Sequence, residues 1–115
     1  MGEKFNRGKT IPREIVIEKL KEAVADISQR LPLDAVYLYG SYANGQPKVY
    51  SDVDVVVVSP AFGTNIVRET AMLMELFEDT GLMVEPRAYS RDEFKQAEAG
   101  SFLYEEVIKK GLQIL

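Results

Sequence analysis

Ile17, Leu20, Val24, Ile27 and Leu31 recur at alternating spacings of three and four, which places one apolar stripe along a helix. Lys19, Lys21, Glu22 and Gln29 fall outside the stripe. Thr10 and Pro12 mark its start, with proline in the first turn where a missing N–H does no harm, and Leu31-Pro32 marks its end. The period then changes. Residues 35–39 (AVYLY) are short, β-branched and aromatic between Pro32 and Gly40, and predict a strand. Residues 52–58 (DVDVVVV) predict a second, and four valines without alternation imply cover on both faces. The intervening GSYANGQPKVY reads as a loop or a single helical turn.

Beyond Ser59-Pro60 and Gly63, Asn65 can cap a second helix running to about Asp79, with Ile66, Thr70, Leu73 and Phe77 on one face. Gly81 stands where a helix C-terminal glycine belongs. Residues 82–89 predict a third strand, which Pro86 assigns to an edge or an irregularity. Ser90 to Glu93 is a capping box opening a short helix. After Gly100 a last helix is expected over 101–110, stopped by Gly111, with a short final strand in 112–115. The order implies an α/β (α+β) fold, a small mixed sheet covered by helices. Residues 1–9 read as a frayed N-terminus, and 10–115 as a single domain.

Composition narrows the chemistry. The 115 residues, 46% hydrophobic, fit one core and contain no cysteine, histidine or tryptophan. Disulfides, thiolate nucleophiles, Cys/His zinc sites and imidazole bases are therefore excluded. Fourteen basic against eighteen acidic residues give a net charge of −4, which argues against a broad basic face for duplex nucleic acid. The longest apolar run, five residues from Ala35 to Tyr39, is far below a membrane span, and the first ten residues have no signal-peptide character. The expectation is a soluble, cytoplasmic domain.

Carboxylates, hydroxyls, lysine, arginine and oxygen-ligated metals remain. Asp52 and Asp54 are two apart at the head of a strand, so both side chains leave one face. Like charges that close are costly unless a cation sits between them, and magnesium takes one or two carboxylates plus substrate phosphate oxygens. For Asp52 alone a turn-closing role is the simpler reading; for Asp54, beside Val55 to Val58, it is not. Gly40-Ser41 offers close backbone approach, a hydroxyl and free N–H groups for phosphate oxygens. No Gly-Lys-Ser follows at the spacing of a P-loop. Glu85, on the predicted third strand, either joins the aspartates as a third carboxylate or forms a surface ion pair with Arg87 or Arg91.

Weaker candidates have simpler readings. Arg68, Glu69 and Glu75 read as a solvated helix face. Met72, Met74 and Met83 read as core filling. Tyr42 and Tyr50 could stack on a base but read more simply as packing residues, and Lys48, Arg87 and Arg91 could contact phosphates but read more simply as surface cations.

Gly40-Ser41, ten intervening residues and then Asp52-Val53-Asp54-Val55 resembles the signature of the DNA polymerase beta nucleotidyltransferase superfamily. The stretch YLYGSYANGQPKVYSDVDVVVV looks like its single-domain members, the minimal nucleotidyltransferases, many of which pair with HEPN proteins in toxin–antitoxin systems. The resemblance implies that Ser41 contacts a triphosphate, that Gly40 permits that approach, and that Asp52 and Asp54 hold Mg2+ in a two-metal arrangement. Glu85 would take the third-carboxylate position, with ATP or another nucleoside triphosphate as donor. Two departures stand out. Family loops often read Gly-Ser-Arg-x-Arg-Gly, whereas Tyr42 and Asn44 replace both arginines here while Gly45 remains. Some charge for the triphosphate or acceptor is therefore missing, or comes from Lys48, Arg87 or a partner chain. The third acid is also Glu where Asp is commoner.

The resemblance thus implies an enzyme moving AMP from ATP to a hydroxyl, on a HEPN-type partner that it silences as an antitoxin. The alternative is a catalytically weak or inactive module that neutralises a partner by contact alone. A small-molecule acceptor is least favoured, because its pocket usually needs further structure. Late apolar positions, Leu103, Val107 and Ile108, leave room for a homo-oligomer or a hetero-complex.

Overall fold

The computed structural model describes residues 11–45 and 52–115. The expected frayed N-terminus, the helix start at Thr10 and the loop residues Lys48 and Tyr50 lie outside them. Helix α1 spans Arg13–Ile27 and buries Val16, Leu20, Val24 and Ile27. It stops a turn earlier than the stripe implies, because the Ser28 hydroxyl donates to the Ala25 carbonyl and the chain continues in turns. Leu31 still packs against the core from that turn.

Strands β1 (Ala35–Tyr39) and β2 (Val53–Ser59) pair antiparallel, with Ala35 opposite Val58 and Tyr39 opposite Asp54. Helix α2 (Ile66–Leu76) begins at Asn65, whose side chain accepts from the Arg68 N–H as expected of a cap. A 3₁₀ turn, Glu78–Thr80, follows and ends at Gly81 in the left-handed region, φ 73°. The chain then enters β3 (Val84–Ser90), parallel to β2. The sheet order is β3-β2-β1-β4, so Pro86 sits on an edge strand, where its missing N–H breaks no central ladder. The capping box of Ser90 and Glu93 opens α3 (Arg91–Lys95). The last helical stretch, Leu103–Lys109, winds as a π-helix rather than the expected α-helix. Over seven residues, burial of Leu103 and Val107 with Ile108 alongside fits either pitch, so periodicity could not separate them. Two-residue β4 (Leu112–Gln113) closes the sheet against β1.

The valine strand is covered on both faces. Val53, Val55 and Val57 pack with Val36 and Leu38 against Leu20, Val24 and Ile27 of α1 and Leu73 of α2. Val56 and Val58 pack with Ala35, Tyr37 and Tyr39 against Leu103 and Val107. Asp54 shares the second face by alternation, which decides where it points. Among the described residues no helix is long and apolar enough to cross a membrane.

Candidate active site

The end of β1 and the starts of β2 and β3 meet at one end of the sheet. Asp54 pairs in register with Tyr39 on one side and Glu85 on the other, so the last position of β1 and the two acids lie in one row. Gly40 follows Tyr39 with φ +78°, a left-handed conformation that favours glycine. A methyl group built on it would stand 2.6 Å from Asp54 Oδ2, so the carboxylate lies against bare backbone immediately before Ser41. Residues 41–45 then form a turn.

Charge is crowded here. Partial burial pushes the Asp54 pKa from 3.8 to about 6, helped by Glu85 and Asp52 nearby and opposed by Arg87. Asp54 is not neutralised by an arginine: among the described residues neither it, Asp52 nor Glu85 enters an ion pair. The alternative surface pairing of Glu85 with Arg91 does not form, because Arg91 stands past the far end of β3, where it grips Asp34 through two hydrogen bonds of 2.8 and 2.9 Å. Arg87 turns instead to Phe102, its guanidinium carbon 4.7 Å from the ring centroid. Among the described residues no group of three acidic side chains forms a ready-made metal cage. The carboxylates of Asp52, Asp54 and Glu85 suit a hard cation that completes its shell with substrate oxygens.

Beside the acids opens a pocket of about 270 Å³, lined by Asp52, Met74, Phe77, Leu82, Met83 and Glu85 among others. Its walls correct one expectation. Met72, Met74 and Met83 are exposed rather than core, at 36%, 53% and 41%. Leu73 is the buried residue of α2 at that level, and neighbours 100° away on either side, Met72 and Met74, splay outward. By the same rotation Ile66 faces solvent, and the buried face of the helix runs through Glu69 and Leu73.

Glu69, expected on a solvated face, is buried. Its carboxylate accepts from the backbone N–H groups of Gly63, Thr64 and Asn65 at 3.1–3.2 Å, tying down the loop that feeds α2. Desolvation works against its charge, but the N–H groups of Asn65, Gly63 and Thr64 outweigh it and hold the pKa below the usual carboxylate value. An acid four residues after the cap was the available signal. Because the folded pKa is lowered, Glu69 contributes stability above the unfolded value near 4.5, lost as pH falls below it. Glu69→Gln is expected to lower Tm at pH 7, by a margin that shrinks as pH falls below 4.5; an unchanged Tm at pH 7 would mean that the clamp adds nothing.

Arg13 was not singled out from the sequence. From the first turn of α1 its Nε donates to the Tyr42 carbonyl at 2.8 Å, bracing the turn after Gly40. Tyr42 itself is 1% exposed, a core residue, so it cannot stand in for a phosphate-binding arginine. Asn44 is exposed.

Comparison with known proteins bears on this arrangement. A family model described as a nucleotidyltransferase domain matches residues 17–113. Among solved structures, a candidate nucleotidyltransferase from Sulfolobus solfataricus is similar at 19% identity and a TM-score of 0.64, covering 88% of this chain and 80% of that one. A variant of the MntA–HpeT toxin–antitoxin pair carrying two aspartate-to-glutamate substitutions is similar at 19% identity and a TM-score of 0.55, covering 91% and 73%. At that identity both likenesses speak to the fold. No curated protein matches.

Proposed function

The chain belongs to the nucleotidyltransferase domain family, and on that premise we propose that it moves a nucleoside monophosphate, AMP from ATP, onto a hydroxyl of a HEPN-type partner protein. The observation that carries this reading is the row Tyr39, Asp54, Glu85, with the Asp54 carboxylate against the bare backbone of Gly40 immediately before Ser41. Asp52, Asp54 and Glu85 would hold Mg2+, and the crowding that raises the Asp54 pKa is the condition a bound cation relieves. A divalent ion there supplies charge neutralisation for the polyphosphate and lowers the pKa of the attacking hydroxyl.

The chain's own residues do the rest. The Gly40-Ser41 turn, braced by Arg13, presents a hydroxyl to the triphosphate. The acceptor oxygen bonds to the α-phosphorus, the bond from that phosphorus to the pyrophosphate oxygen breaks, and pyrophosphate leaves. The hydroxyl proton passes to a carboxylate of the cluster and from there to water. No imidazole is needed.

The test is transfer of label. With ATP labelled at the α-phosphate, Mg2+ and the partner protein, the partner is expected to gain label; ATP labelled at the γ-phosphate leaves it unlabelled, and EDTA abolishes the reaction. Absence of a labelled product with all four nucleoside triphosphates would sink the reading.

A second reading has one observation in its favour. The outer face of α2 presents Ile66 and Val67, 59% and 77% exposed, with Met74 further along, as an apolar surface for contact alone. An Asp52→Asn/Asp54→Asn double variant that still silences the partner at stoichiometric ratio would favour that module.

A further inference from the structure

The sheet face that carries Asp54 and Glu85 also carries a cation. Arg87 lies two residues beyond Glu85 on β3, so its side chain leaves the same face. Its guanidinium stacks over Phe102, and Phe102 meets Tyr39 edge-on with ring centroids 5.5 Å apart. Desolvation works against the guanidinium's charge, and the neighbouring Tyr39 and Tyr89 side chains favour it. Tyr39 belongs to β1 and Arg87 to β3, with β2 between them, so the arginine leans across the sheet toward the row that holds Asp54.

This placement needs a reason. A mobile guanidinium this near two acids would close a bidentate pair with one of them, quenching both charges. Here the aromatic brace holds the cation within electrostatic reach of Asp54 but outside an ion pair. The arrangement keeps the carboxylates available to cations and the guanidinium available to an anion. Among the other described arginines, Arg13 is engaged with the loop carbonyls, and Arg91 pairs with Asp34 at the opposite end of the sheet. The loop between β1 and β2 contains no arginine.

We propose that Arg87, braced by Phe102 and Tyr39, contacts the phosphoryl group being transferred and stabilises the charge it develops. The inference rests on the nucleotidyl-transfer reading above and adds a catalytic residue to it, with Phe102 as a positioning residue. Preorganised charge of this kind typically contributes about 10²–10³-fold in rate.

The experiment compares the full-length wild type with Arg87→Met, Arg87→Lys, Phe102→Ala and Asp54→Asn, each checked for Tm. Single-turnover transfer from ATP and equilibrium binding of AMP with Mg2+ are both measured. Arg87→Met, which keeps an apolar stem for packing, is expected to slow transfer about 10²-fold or more, with a smaller loss of AMP affinity. Arg87→Lys recovers part of the rate, and Phe102→Ala slows the wild type but adds little to Arg87→Met. Transfer by Arg87→Met within threefold of wild type, while Asp54→Asn is inactive, overturns the role of Arg87 alone. If Asp54→Asn also transfers normally, the nucleotidyl-transfer reading falls with it. Should the wild type bind nucleotide without transferring it, unchanged AMP affinity in Arg87→Met overturns the proposal.

Discussion

Asp54→Asn is expected to abolish nucleotidyl transfer and, in the same protein, to raise the melting temperature without metal. The two effects share a cause. A carboxylate whose pKa rises from 3.8 to about 6 on folding is one the folded chain prefers to keep protonated. Below pH 3.8 the group is neutral in both states and carries no penalty. Between pH 3.8 and 6 the folded state binds the proton more tightly, so stability falls as pH rises; above the folded pKa the loss is complete. The shift corresponds to at most about 3 kcal/mol, and solvent screening at this partly exposed site reduces that to about 1–2 kcal/mol.

Asparagine preserves the shape and removes the charge. The Tm difference between variant and wild type should therefore be near zero at pH 4, grow between pH 5 and 6, and level off near pH 7 at about 4–8 °C. Mg2+ should then stabilise the wild type and leave Asp54→Asn unmoved, while the loss of a metal-holding carboxylate slows transfer by about 10³-fold or more. A variant less stable than wild type at pH 7.5 without metal would show that Asp54 is a structural carboxylate with a partner, contrary to the site as described.

Gly40→Ala is expected to disable the site while leaving the fold in place. At φ +78° an alanine costs about 1–2 kcal/mol in backbone strain. Its methyl group would also overlap Asp54 Oδ2, which as the end of a side chain can rotate away. The carboxylate moves, not the strand. A displacement of about an ångström from a productive geometry can cost about 10²-fold in rate. Transfer should fall by that order with a Tm drop of only several degrees, and the concentration of Mg2+ needed for half-maximal activity should rise. A folded Gly40→Ala with wild-type transfer would mean that contact between Asp54 and the turn is irrelevant to catalysis.

Much of this molecule was legible in the chain. Residues 35–39 were read as a strand from five β-prone residues between breakers, and they form β1 with the same limits. Asn65, Gly81 and the Ser90–Glu93 box act as expected, because caps are local and their partners lie within a few residues. The double cover of the valine strand followed from its lack of alternation. Reading α2 was harder. An acid counted as surface turned inward to satisfy three backbone N–H groups, and methionines counted as core turned outward, since one helix turn carries several apolar residues and only packing selects which face is covered.

The sequence by itself determined the elements and their order, and it brought Gly40-Ser41 and Asp52-Val53-Asp54 to the ends of two strands, because propensity, capping and turn chemistry act over a few residues. Only the tertiary structure decided that Glu85 stands beside Asp54, that Arg13 braces the loop and that Arg87 rests on Phe102 on the same face as the acids. Those pairings join residues 15 to 31 positions apart through strand register and side-chain packing. A slip of one position between β2 and β3 would send Glu85 and Arg87 to the opposite face while changing no local preference of the chain.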